Sequence, residues 1–113
     1  MKHFCIAFLL LLLAACSSGT PVQVTNQSAT PLQEVRIAGT GFSVPVAEVL
    51  APGQSRTVRV EPRGESGIAV SFRTGERAVA WPEQGYFEGG GNYAVKVVVQ
   101  PDHSVSVRAR IGV

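Results

Sequence analysis

From Val22 onward apolar and polar residues alternate, and no segment repeats its apolar residues with the 3.6-residue period of a helix. A period of two sends successive side chains to opposite faces of an extended chain, so the pattern predicts strands throughout. Eight runs carry it: VQVT (22–25), LQEVRIA (32–38), SVPVAEVL (43–50), SRTVRV (55–60), GIAVSFR (67–73), ERAVAW (76–81), YAVKVVVQ (93–100) and SVSVRAR (104–110). Between them stand NQSATP, APGQ, EPRGES, TGE and PDHS, clusters of residues that favour turns. Short strands at intervals of about ten residues predict an all-β chain folded as an antiparallel sandwich or small barrel.

The alternation also names the inward set. Val58 and Val60, then Ile68, Val70 and Phe72, then Val105 and Val107 interleave with arginine, serine, threonine and alanine. The run 93–100 carries Tyr93, Val95, Val97 and Val99 on one face and Val98 on the other, which predicts a central strand. Pro45 has no N–H to give to a ladder, so the run 43–50 belongs at a sheet edge or a bulge.

The first fifteen residues are set apart from the fold. Lys2 and His3 precede an apolar run from Phe4 to Ala15, and small residues follow, the layout of an export signal. A membrane-crossing helix needs about 20 apolar residues, more than this run supplies. Its end, Leu13-Ala14-Ala15-Cys16, resembles the lipobox of bacterial lipoproteins, in which the cysteine is acylated and becomes the first mature residue. The resemblance implies a signal peptide over 1–15, a lipidated Cys16 followed by a short tether to residue 21, and a domain over 22–113. It also implies a membrane as partner, held by acyl chains that contribute about 0.8 kcal/mol per buried CH₂. In the Gram-negative lipoproteins it is similar to, aspartate after the cysteine favours the inner membrane. Ser17 stands there, so the expected location is the outer membrane, on its periplasmic face. Ser17 to Pro21 extend over roughly 17 Å at 3.3 to 3.6 Å per residue, which keeps the domain near the membrane.

A second resemblance lies in the turn chemistry. VQVTNQSATPLQEVRIAG followed by VLAPGQSRTVRV, within residues 22–60, resembles the opening half of bacterial immunoglobulin-like modules. It implies a single immunoglobulin-like antiparallel β-sandwich of about 7 to 8 strands. In general plan only, the chain also resembles the small β-sandwich lipoproteins of type VI secretion.

Composition narrows the chemistry. Removing residues 1–15 from the 113 leaves 98, enough for one domain with a core. Lys2 leaves with the signal, so nine basic residues face eight acidic ones, and a net charge of about +1 gives no reason to expect nucleic acid or an anionic surface as partner. Cys5 falls in the signal and Cys16 carries the lipid, which leaves no disulfide and no thiolate metal site within one mature chain.

Asp102-His103-Ser104 has the letters of a catalytic triad, but neighbours in one turn point different ways, so a hairpin turn is expected there. His103 is the sole mature histidine and the acidic residues are scattered, so neither a metal site nor a cofactor is expected, and no catalytic residue is named. Asn26-Gln27-Ser28 has the letters of a glycosylation acceptor and is read as a turn.

The stretch WPEQGYFEGGGNY (81–93) remains. It holds four of the six mature aromatic residues. Eleven residues, 82–92, separate the runs ending at Trp81 and starting at Tyr93, and a hairpin loop usually takes about 2 to 5. Two readings stay open: Tyr86 or Phe87 folds back to cap the sandwich, or the loop binds a protein through Trp81, Tyr86, Phe87, Glu88 and Tyr93. Glu83 and Glu88 argue against a membrane-dipping loop. The expected function is a non-enzymatic, lipid-anchored accessory or adaptor module that holds an envelope protein near the membrane. The alternative is an inhibitor or sequestering protein for a periplasmic enzyme such as lysozyme, and a metal carrier or enzyme ranks below both.

Overall fold

The computed structural model describes residues 19–111. The expected signal segment, Cys16 and the first residues of the expected tether lie outside the described residues. Eight strands follow one another: β1 (Thr20–Asn26), β2 (Leu32–Gly39), β3 (Phe42–Leu50), β4 (Ser55–Val60), β5 (Glu65–Thr74), β6 (Arg77–Glu88), β7 (Tyr93–Val99) and β8 (Val105–Ile111). They form two four-stranded sheets, ordered β4-β1-β7-β8 and β3-β2-β5-β6, packed as an all-β sandwich.

The alternating apolar residues fill the space between the sheets. Val22, Val24, Val95, Val97 and Val99 face Leu32, Val35, Ile37, Ile68, Val70 and Phe72, all buried. Full burial of such side chains stabilises the fold by about 1.5 to 3 kcal/mol each. The expected central strand is central: β7 lies between β1 and β8. The proline-bearing strand β3 lies at an edge, where Pro45 needs no ladder partner on its open side.

Two features depart from a regular antiparallel sandwich. Pairing is antiparallel except between β1 and β7, which run parallel with Val22 opposite Val95 and Asn26 opposite Val99. β1 and β2 also fall in opposite sheets, whereas the first two strands of a constant-type immunoglobulin domain share one. The reason lies in the turn between them. Asn26 is fully buried, and its amide nitrogen donates to the carbonyls of Thr30 (2.8 Å) and Leu50 (2.9 Å). Its Oδ1 accepts from the backbone N–H of Ser28 at 2.9 Å and from the Ser28 hydroxyl at 2.6 Å. One side chain thus shapes the turn and ties the end of β1 to the end of β3 in the other sheet. With its amide enclosed, the Asn26 acceptor pattern is a structural turn.

β2 carries a bulge. Glu34 sits at φ 51, and the pairing shifts between Gln33 and Arg36 against β5 and between Val35 and Arg36 against β3. The extra residue changes the spacing, so Leu32, Val35 and Ile37 all point inward. On β3 the matching shift buries Val46 and Ala47 in succession.

Replacing Asn26 by alanine leaves the carbonyl of Leu50 and the Ser28 hydroxyl without their buried partner. Asn26→Ala is expected to destabilise the domain by about 2 to 4 kcal/mol, read as a fall in the chemical-denaturation midpoint with an unchanged slope.

Candidate functional site

The stretch 82–92 is not an eleven-residue loop. β6 continues unbroken to Glu88, and only residues 89–92 turn the chain into β7. Pro82 is tolerated because β6 is the edge strand of its sheet, with one side free of ladder hydrogen bonds. The register shifts twice, between Ser66 and Ile68 and between Ile68 and Val70 of the paired strand β5, so β6 bends. Its second half runs along β8, and Gly85 leaves the room that Val107 occupies, since a Cβ there would stand 2.9 Å from Val107 Cγ1.

The five residues named as one partner-binding loop therefore separate into two groups. Phe87 is fully buried and belongs to the core, as the capping alternative requires. Its ring centroid lies 6.4 Å from Phe42 and 6.4 Å from Tyr93, the latter edge to face. Tyr93 is half-buried against it. These two are structural. Trp81 and Tyr86 are 36% and 49% exposed and stand on β6 instead of a loop. The Trp81 indole donates to the carbonyl of His103 at 3.1 Å, which fixes its ring.

Tyr86 is joined to Glu88, which was named with it, and to Glu65, which was not. Glu65 and Glu88 are opposed directly across the β5–β6 ladder, an unfavourable pairing of like charges. The Tyr86 hydroxyl donates to Glu88 and lies 3.4 Å from Glu65 Oε1. The hydrogen bond to Glu88, with the negative charge of Glu65 added, holds the phenol well above its ordinary range. Tyr86 therefore stays protonated and presents an aromatic face whose polar end is already satisfied. A spacing of two on one strand, Tyr86-x-Glu88, was the signal in the sequence for this contact.

The three glycines serve the turn. Gly90 has φ 78, a conformation that side-chain-bearing residues rarely adopt. A Cβ on Gly89 would collide with the Pro62 carbonyl oxygen, and one on Gly91 would come 2.7 Å from the Tyr93 ring. The turn is tied to the preceding loop by the Gly89 N–H, which donates to the Gly64 carbonyl at 2.9 Å, and with Gly19 and Thr20 it lines an open cavity at the end of the domain where the described residues begin.

At the opposite end, Gln100 to Ser104 turn between β7 and β8. His103 N–H donates to the Gln100 carbonyl at 2.9 Å, and Gln100 N–H donates to the Ser104 carbonyl at 2.8 Å. Asp102 Oδ1 accepts from the Ser104 hydroxyl (2.6 Å) and backbone N–H (3.0 Å), while His103 Nε2 lies 2.9 Å from Thr30 Oγ1. Asp102 bonds serine and His103 bonds threonine, so the three do not form a relay. The two bonds from Ser104 hold the Asp102 carboxyl below its ordinary range. Their contribution to stability is therefore present at neutral pH and is lost as the pH falls through the lowered value. Among the described residues no group of three His, Cys, Asp or Glu side chains is placed to hold a metal ion.

No family model matches the chain, and no curated protein or solved structure matches it. The candidate surface is thus defined by its own geometry: Trp81 and Tyr86, exposed on edge strand β6, with Glu88 and Glu65 around the phenol.

The division between core and surface is measurable. Phe87→Ala is expected to lower stability by about 3 to 5 kcal/mol, as for other buried phenylalanines. Tyr86→Ala is expected to change it by less than about 1 kcal/mol. Thermal or chemical unfolding of the two variants checks both values.

Proposed function

We propose that this chain is a lipid-anchored accessory module of the bacterial envelope, without catalytic activity, that binds another envelope protein through β6. Cys16 carries the acyl chains, and the domain stands on the periplasmic face of the outer membrane. The observation that carries the reading is the pair Trp81 and Tyr86. With Val49 and Ile111 they are the large apolar side chains that the described surface exposes, and they share one strand. Tryptophan and tyrosine held rigidly at a surface, with their polar ends already bonded, are the side chains that dominate protein interfaces.

The position of the domain supports the anchor. The described chain begins at Gly19, three positions after Cys16, and β1 starts at once at Thr20. Little chain is left over for a long reach away from the membrane. Acylation at Cys16, with Ser17 following, favours the outer membrane.

Two experiments address the two halves of the proposal. Metabolic labelling with a fatty-acid analogue is expected to mark the wild-type chain and not Cys16→Ala. A photoreactive residue in place of Tyr86 is expected to capture one envelope protein in intact cells, and Trp81→Ala to abolish that capture. Capture from a probe at exposed Val49 on β3, with none from Tyr86, would move the interface to the other edge of the sheet.

A further inference from the structure

Sorting the charged residues by sheet reveals what the net charge hides. Strands β1, β4, β7 and β8 contain Arg56, Arg59, Lys96, Arg108 and Arg110 and no aspartate or glutamate. Strands β2, β3, β5 and β6 contain Glu34, Glu48, Glu65, Glu83 and Glu88 against Arg36, Arg73 and Arg77. A nearly neutral domain is thus polarised, with one wholly basic sheet.

Four of those five cations occupy outward positions of the basic sheet. Val22, Val24, Val95, Val97 and Val105 point into the core, so the residues between them face out. Thr57, Gln23, Lys96 and Arg108 form one continuous row across all four strands. Toward the N-terminal end, Arg59 stands opposite Pro21 and Arg110 opposite Ala94. Lys96 and Arg108 therefore oppose each other directly, a destabilising arrangement for which these strands supply no relieving carboxylate. Tyr86 of β6, bonded to Glu88, borders Lys96, Arg108 and Arg110, and the outer row formed by Thr57, Gln23, Lys96 and Arg108 itself carries no carboxylate.

Two observations select the source of a counter-charge. The cations are spread over a sheet face about 14 Å wide, from four strands roughly 4.8 Å apart, and a broad anionic surface meets such an array better than a single small anion does. The described residues also begin on this sheet: Arg59 Nη1 donates to the Gly19 carbonyl at 3.1 Å, and only Ser17 and Ser18 separate Gly19 from Cys16. That distance is about 10 Å of extended chain. We infer that the outer face of the β4-β1-β7-β8 sheet docks on the anionic phospholipid headgroups of the membrane that holds Cys16. This rests on the acylation of Cys16 proposed above. Arg59 and Arg110 lie nearest the anchor, Lys96 and Arg108 one row further in, and Tyr86 of β6 stands at the border of this face beside Lys96 and Arg108.

Lys96 is the sole lysine apart from Lys2, which makes the test direct. The full chain is placed in nanodiscs of pure phosphatidylcholine, and in others containing about a third phosphatidylglycerol, then exposed to a water-soluble amine-reactive ester. Lys96 modification is read by peptide mass. At low salt the expected rate is about fivefold slower in the anionic discs, and the difference disappears near 0.5 M salt. Arg108→Glu gives Lys96 an opposite charge across the ladder. It is expected to melt no lower than wild type yet to lose the difference between the two discs. Equal wild-type rates in the two discs would overturn the proposal, as would undiminished protection in Arg108→Glu. Protection by polyglutamate but not by anionic discs would overturn it in favour of an acidic protein. The mass of the Cys16 peptide reports acylation separately. A chain found without acyl groups, added to preformed discs, still tests the face by itself.

Discussion

The insertion of β1 between β4 and β7 is the constraint on which the rest of the molecule depends. A strand paired on both sides has no free edge, and β1 reaches this position by running antiparallel to β4 and parallel to β7. It completes a sheet whose inward valines form half the core. It also ends at Asn26, whose buried side chain locks the crossover to the other sheet. Because β1 is the first strand, the beginning of the described chain is fixed to that sheet at the Arg59 contact. The position of any N-terminal lipid relative to the basic face follows from that one pairing.

The same architecture explains why the aromatic stretch divides as it does. β6 is an edge strand whose two register shifts break its alternation, but over its last three residues the alternation holds, so Phe87 enters the core while its neighbours Tyr86 and Glu88 stay out. Phe42, Phe87 and Tyr93 close one end of the sandwich, and the glycine turn is shaped by what packs against it. The surface left over is small: an indole held by the His103 carbonyl and a phenol held by two carboxylates. Each sheet carries like charges opposed across a ladder, Glu65 with Glu88 and Lys96 with Arg108, and Tyr86 borders both pairs. On the first the Tyr86 hydroxyl intervenes, and on the second no side chain of the sheet does.

Much of this was legible in the alternation of residues. All eight runs became strands, β7 was central and β3 was an edge, because parity and the missing N–H of Pro45 are local properties. The run ending at Trp81 was read too short, since Pro82 and Gly85 look like a loop unless the strand is known to be an edge. The bulge at Glu34 had a signal, the spacing of three between Leu32 and Val35 followed by two to Ile37, which a strict alternation cannot give. Asn26 was read correctly as a turn residue, but its bond to Leu50 depends on a strand 24 positions later. The basic face was not legible at all. Arg59, Lys96 and Arg108 are far apart in sequence and meet only through strand order, which no local pattern encodes.

Hydrogen exchange measured residue by residue on the full chain tests the central role of β1 most directly. If β1 is locked between β4 and β7, the amides of Val22 to Thr25 exchange only by global unfolding, as slowly as those of Val95 to Val97. Exchange of the β1 amides through a lower-energy local opening, with β7 and β8 still protected, would contradict the account. The sheet would then not depend on its first strand, and the Arg59 contact would not fix where the chain begins.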